Sequence, residues 1–426
     1  MDNIRNRELF TRILREEIIP AAGCTEPISI AFCAAKAHQV LGMQPTAVTV
    51  SVSGNILKNA KSVVVPNTNG LKGICAAVAA GIVCGDADLG MQVISRVSEE
   101  QKASIVNFLN AVNIDVSCAE TECPHYISIT LYARTSYSRV VVANSHSNIV
   151  EIMKNGEAIV KKPIAAQSED NLTDKSGMNL HDIFCYAEQV DLNDVKDLLD
   201  MQISYNMAIC EEGLSNEYGA NIGKILLPES ASDAKTVARA YAAAGSDARM
   251  SGCEMPVAVL CGSGNQGITA SVPIICYARS YSIEKERTYR ALILSDLLTV
   301  YQKARTENLS AFCGAVSAGC AVGAAIAYLL GGDESAVART LVNALSMITG
   351  TFCDGAKPSC AAKIAAAVET GILGYHIYLH QQQFCQGEGI IAPNADETVR
   401  NMGRIASGGM IETDQTIINI LQQDCK

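Results

Sequence analysis

Two cysteines seven positions apart, Cys353 and Cys360, stand in the stretch ITGTFCDGAKPSCAAK at residues 348–363, and their sulfurs are the first candidates for chemistry in this chain. On an unbroken helix, residues at that spacing share a face but lie about 10 Å apart along the axis, too far for one small metal centre to collect both thiolates. Gly355 and Pro358 fall between them, and neither favours a continuous helix: Gly lacks helix preference, and Pro removes a donor and clashes with the preceding turn. The stretch is therefore expected to turn and bring the two sulfurs together. Thiolate ligands of iron–sulfur clusters recur in such Gly- and Pro-containing settings.

A single cysteine is ordinarily a small buried hydrophobe, so the others count only in company. Cys313 and Cys320 stand in LSAFCGAVSAGCAVGAA, and Cys24 stands in PAAGCTEPISIAF, just ahead of a helix whose first turn holds Pro27. Peptide dipoles at a helix start favour an anion, so a thiolate at Cys24 would be stabilised; the plain alternative is a buried turn cysteine. Polar handles for a small substrate are sought at Ser53, Gly54 and Asn55, where a strand runs into a turn, at Asn67 in VPNTNG, and at Asn265 and Gln266 in CGSGNQG. Ordinary turns use the same residue types. CGSGNQG is not read as a dinucleotide fingerprint, because neither a preceding strand nor the downstream acid is expected there. Lys357 and Lys363 are candidate carboxylate contacts, against the ordinary reading of exposed lysines.

PAAGCTEPI, SVSGNILKN, CGSGNQG, AFCGAVSAG and GTFCDGAKPSCAAK, in this order, resemble the L-cysteine desulfidase family, which is related to the alpha chain of iron–sulfur L-serine dehydratases. The resemblance runs from about residue 20 to beyond residue 409. It implies an oxygen-sensitive lyase that splits L-cysteine into pyruvate, ammonia and hydrogen sulfide with a [4Fe-4S] cluster and without pyridoxal phosphate. Carried onto this sequence, Cys313, Cys353 and Cys360 are the cluster ligands, one iron stays open as a Lewis acid, and Cys24 is the base. Likeness to the serine enzymes also suggests that Cys425, in the terminal QQDCK, reaches the open iron when substrate is absent. Two other readings stay open: an L-serine dehydratase with the same chemistry, and a non-catalytic metal or redox protein. Close C-x(2–4)-C pairs typical of structural zinc do not occur around the proposed ligands.

What must position these residues is a chain of 426 residues, longer than one hydrophobic core usually serves, so more than one domain is expected. Hydrophobic residues make up 49%, yet aromatics only 5% and Trp is absent, so the core must be built from small side chains in close-packed helices. The net charge of −11, without a long basic run, argues against nucleic acid or an anionic membrane as partner. Seventeen cysteines in a chain opening with the charged MDNIRNRELF suit a reducing cytoplasm, in an organism living with little oxygen, better than secretion. A small amino acid is the expected partner; the oligomeric state, a homo-oligomer included, stays open.

The fold class expected is α+β, an N-terminal α+β domain with an antiparallel sheet followed by a mainly all-α catalytic domain. Residues 1–44 read as helices carrying the Cys24 turn and packed on the catalytic domain, 45–165 as the α+β domain, and 166–426 as the all-α cluster-binding domain. TAVTVSVSGNI alternates like a strand and SVVVPN is a β-branched run, while residues 73–84 and 98–112 have helical spacing. The polar stretch PIAAQSEDNLTDKSG marks the domain boundary. Residues 311–332 carry no charge and are long enough to span a bilayer, but their Ala, Gly, Ser and Cys content favours a buried helix.

Overall fold

The computed structural model describes residues 2–22, 25–164, 173–228, 233–306 and 311–423. The chain opens with helix α1 (Asp2–Glu17), strand β1 (Ile19–Ala22) and helix α2 (Thr25–Leu41). Then come β2 (Ala47–Val52), α3 (Gly54–Ala60), α4 (Gly73–Cys84) and α5 (Glu99–Ala111). Strands β3 (Asn113–Cys118), β4 (Tyr126–Ala133), β5 (Ser136–Ala143), β6 (Ile149–Lys154) and β7 (Glu157–Lys161) complete the sheet-bearing part. The rest is mainly helical: α6 (Leu180–Gln189), α7 (Lys196–Ser215), α8 (Ile222–Leu226), α9 (Ala234–Met250), strand β8 (Pro256–Val259), α10 (Gly264–Ser280) and α11 (Lys285–Lys303). It continues through α12 (Gly314–Leu329), α13 (Glu334–Ile348), α14 (Cys360–Leu379), α15 (Ala395–Arg404) and α16 (Ile411–Gln423). The class is α+β.

The sheet has the order β3-β2-β4-β5-β6-β7. All its pairs are antiparallel except β2–β3, which is parallel because α3, α4 and α5 intervene and carry the chain back to the same end. The period of two sets the register: Val48, Val50 and Val52 are buried and stand opposite Leu131, Ile129 and Ile127 of β4. Helix α2, apolar on nearly all sides, lies with α4 on this face and shares one core with it. A capping box at Ser98 and Gln101 starts α5 where the sequence places it. SVVVPN forms no strand; Val64 makes only an isolated bridge to Lys72. Pro66 lacks a donor and Asn67 takes a left-handed φ of 57°, so the chain turns before a ladder can extend.

The two cores interlock rather than follow one another in sequence. Of the first 44 residues, α1 contributes Phe10, Ile13 and Leu14 to the helical core, Ile18 just after it joins them, and β1 pairs antiparallel with β8. Helix α2 belongs to the sheet's core instead. At the other end, α16 crosses back: Ile418 joins the sheet-side core, Asp414 pairs with the buried Lys58 of α3, and the Leu421 carbonyl accepts from Lys61. In the helical part small residues allow near contact of backbones. A Cβ added to Gly323 of α12 would lie 2.1 Å from the Gly371 carbonyl of α14. Helix α12 is buried along its whole length, and among the described residues no helix is long and apolar enough to cross a membrane.

Candidate functional site

Two backbone hydrogen bonds place the first pair of sulfurs. Phe312 and Phe352 form an isolated antiparallel bridge, with the Cys313 N–H on the Thr351 carbonyl at 3.2 Å and the Cys353 N–H on the Ala311 carbonyl at 2.5 Å. Side chains alternate across a strand, so Cys313 and Cys353 leave the bridge on one face as diagonal neighbours. Cys313 is at the same time the N-cap residue of α12, and Cys360 is the first residue of α14. The turn between Cys353 and Cys360 predicted from Gly355 and Pro358 is present: Gly355 has φ of 102°, and Cys360 Sγ lies 3.6 Å from its carbonyl.

A side chain at Gly355 would put Cβ 2.1 Å from the Lys58 carbonyl, so this turn rests on α3, the helix that Ser53 caps. Cys360 packs with Val63, Met250 and Ala356, which brings the sheet-bearing part to the same corner. From a third direction, Gln266 in the first turn of α10 lies against Gly314, whose added Cβ would be 2.8 Å from Gln266 Oε1. The starts of α10 and α12 therefore abut. Gln266 Oε1 and Asn265 Oδ1 are buried with no hydrogen-bond partner among the described residues.

Burial raises the pKa of Cys313 and of Cys360, and in both the charge of Cys353 adds to the shift. Lys363 offsets part of this for both thiols, and Lys357 does so for Cys360. Lys303, the last residue of α11, is held below the usual lysine range by burial. The thiols of Cys261, Cys353 and Cys313 oppose that fall, and the ammonium of Lys58 adds to it. Burial thus favours the protonated thiols of Cys313 and Cys360, and Lys303 stands within electrostatic reach of the sulfurs of Cys261, Cys313 and Cys353.

The other predicted residues are placed as follows. Ser53 Oγ donates to the Pro124 carbonyl at 2.7 Å, and Gly54 lies under Ile418 of α16. Asn55 Oδ1 accepts from Asn59, and Asn67 Nδ2 donates to the Ile94 carbonyl at 3.0 Å. Asn67 thus pins a loop of the sheet-bearing part. Lys357 pairs with Asp354 and donates to the Gly355 carbonyl, while Lys363 reaches Asp354 at 2.6 Å and the Phe352 carbonyl at 3.0 Å. Asp354 engages both lysines and braces the turn. Cys24 and Cys425 lie outside the described residues. Cys320, buried in the middle of α12, takes no part.

Lys303, Lys58 and Cys261 were not singled out from the sequence. A signal for Lys303 exists: Asp296, Thr299 and Lys303 recur at helical spacing after Arg290, where most other residues of α11 are apolar, which marks a polar stripe. Lys58 offers no such signal, because its neighbourhood is made by α16 and by Gly355, both more than 290 positions away.

Among the described residues, no three His, Cys, Asp or Glu side chains converge as ligands of a single ion. A four-iron cube is larger than an ion and spreads its ligands over separate irons. Three neighbouring thiols on element ends, offset by lysines and bordered by unpartnered amide oxygens, fit such a group in donor chemistry.

The model of the family described as serine dehydratase alpha chain matches residues 88–419. A UPF0597 protein of Desulfitobacterium hafniense is 49% identical over 421 residues, covering 99% of this chain and 98% of the relative. UPF0597 proteins of Finegoldia magna and Treponema denticola are 43% and 39% identical, over 97% and 98% of this chain and 99% and 98% of theirs. The chain belongs to the serine dehydratase alpha-chain family.

Proposed function

We propose that this protein is an L-cysteine desulfidase, a lyase that eliminates hydrogen sulfide from L-cysteine and leaves pyruvate and ammonia. The observation that carries this reading is the meeting of Cys313, Cys353 and Cys360 at one corner, where the starts of α10, α12 and α14 come together. Cys313, Cys353 and Cys360 would hold a [4Fe-4S] cluster, which would supply a soft Lewis acid suited to the substrate's thiolate. Gln266 Oε1 and Asn265 Oδ1, buried acceptors without partners among the described residues, receive the substrate's ammonium. The first-turn amides of α10 suit its carboxylate. Lys303 and Lys363 offset the negative charge that three thiolates bring into a buried corner. Cys24 takes the α-proton as base. Loss of that proton and of the β-sulfur gives aminoacrylate, which water converts to pyruvate and ammonia, balancing cysteine plus water against the three products.

The description of the matching family favours L-serine as a second substrate, with hydroxide leaving in place of sulfide. Anaerobic reconstitution with iron and sulfide, then assay of L-cysteine, L-serine and D-cysteine side by side, separates the two. Sulfide and pyruvate in equal amounts from L-cysteine, at a rate well above pyruvate from L-serine, is the expected result. Faster turnover of serine establishes the dehydratase, and no pyruvate from either amino acid overturns both.

A further inference from the structure

Away from the sulfur corner, α6 and the start of α13 bring together a second group of chemically able side chains. His181 and Cys185 are one helical turn apart on α6, with Cys185 Sγ 3.7 Å from His181 Nε2. His181 Nδ1 lies 3.1 and 3.0 Å from the two carboxylate oxygens of Glu334, in the first turn of α13. The His181 side chain is 66% exposed, so the pair is open to solvent.

Two chemistries suit a cysteine, a histidine and a carboxylate in line: an activated thiol nucleophile, or a metal site. The surroundings decide between them. A nucleophilic cysteine needs its thiolate stabilised by positive charge or a helix start. Cys185 is instead in the middle of α6, beyond its first turn, and burial together with the carboxylates of Glu334, Asp182 and Glu188 disfavours its bare thiolate. The same carboxylates favour a bound cation. Asp182 is engaged by Asn179 and Glu188 by Tyr328, so they act as a fixed negative wall rather than as ligands.

The distances agree with a metal. Tetrahedral zinc with ordinary Zn–N and Zn–S bonds sets its nitrogen and sulfur ligands about 3.6 Å apart, against 3.7 Å for this pair. A ligating histidine typically gives its other ring N–H to a carboxylate, which fixes the tautomer and aims the free nitrogen at the metal; Glu334 stands where that partner belongs. We propose that Cys185 and His181, braced by Glu334, form a surface site for a borderline divalent cation such as Zn2+. The cation is held by two protein ligands and completes its shell from solution. Binding releases the thiol proton of Cys185 and uses the Nε2 lone pair of His181. No third His, Cys, Asp or Glu ligand is present among the described residues, so the site is a weak, exchangeable one.

The proposal stands apart from the desulfidase reading and is tested without activity. In the full-length protein, the alkylation rate of each cysteine by iodoacetamide is measured by peptide mass spectrometry with and without Zn2+. Protection of Cys185 by tenfold or more is expected, with the exposed Cys385 labelled at an unchanged rate. His181→Gln abolishes the protection, and Glu334→Gln raises the Zn2+ needed for it by about tenfold. Unprotected Cys185, equal protection of Cys385, or protection that survives in His181→Gln overturns the site.

Discussion

Cys313 and Cys320 sit seven residues apart, the first capping helix α12 and the second in its middle, and their surroundings could hardly differ more. Cys320 is fully buried, and desolvation is the one influence on its thiol, pushing it far above the ordinary range. Cys313 meets the Thr351–Cys353 strand, the charges of Cys353 and Cys360, and the offsetting Lys363. The contrast shows where chemistry collects in this fold. Inside a helix the backbone groups are already bonded and the neighbours are core side chains; at its ends, free amides, turns and side chains from distant segments converge. Cys33, Cys210 and Cys276, each buried within a helix, are likewise raised mainly by desolvation.

The largest expected effect tests the contrast directly. Cys313→Ser and Cys353→Ser, assayed after anaerobic reconstitution, should lose bound iron and at least about 100-fold in turnover, since removing a residue that only hydrogen-bonds a metal ligand already costs about 10–100-fold. Iron content and pyruvate formation are the measurements. Full iron loading in either variant would remove that thiol from the ligand set.

How much of this was legible beforehand follows from the range of the interactions. Period, caps and turns are local, so α4, α5, β2 and the Gly355 turn could be read from a few neighbouring residues. Cys353 and Cys360 stood out for the Gly and Pro between them, and Cys313 joined them through the family resemblance. What could not be read is made by contacts across the whole chain: Gln266 against Gly314, Lys58 with Asp414 and under Gly355, and α1 in one core while α2 lies in the other. Asn67 and Lys357 are instructive too. Each stands beside a turn as the sequence suggests, and the structure adds a partner that the sequence does not show, the Ile94 carbonyl for Asn67 and Asp354 for Lys357.

A second experiment asks whether the helix interior is as inert as Cys320 suggests. Asp296 of α11 is fully buried, accepts from Gln202 at 3.0 Å through one oxygen, and is raised by desolvation to about 7. A carboxyl raised in the folded state is neutral there while its unfolded counterpart ionises. Its contribution to stability is full below the unfolded value of 3.8 and is lost as pH climbs to about 7. At roughly 1.4 kcal/mol per unit, the loss is a few kcal/mol. Urea denaturation of the wild type should therefore lose stability across that window relative to Asp296→Asn. Parallel pH profiles would mean that Asp296 shifts far less on folding.

The smallest effect closes the contrast from the other side. Cys320→Ala removes one sulfur from a closed, apolar stretch where α12 crosses α10 and α14, and nothing there carries charge or an open amide. The cost is that of a small cavity, about 1 kcal/mol, visible as a lowered denaturation midpoint. Iron content and turnover should stay within about twofold of wild type, a margin of roughly 0.4 kcal/mol in barrier height. A variant that kept its stability but lost iron would place Cys320 among the ligands and erase the distinction between helix middle and helix end. A loss of stability with iron retained would assign this thiol to packing alone, as its surroundings imply.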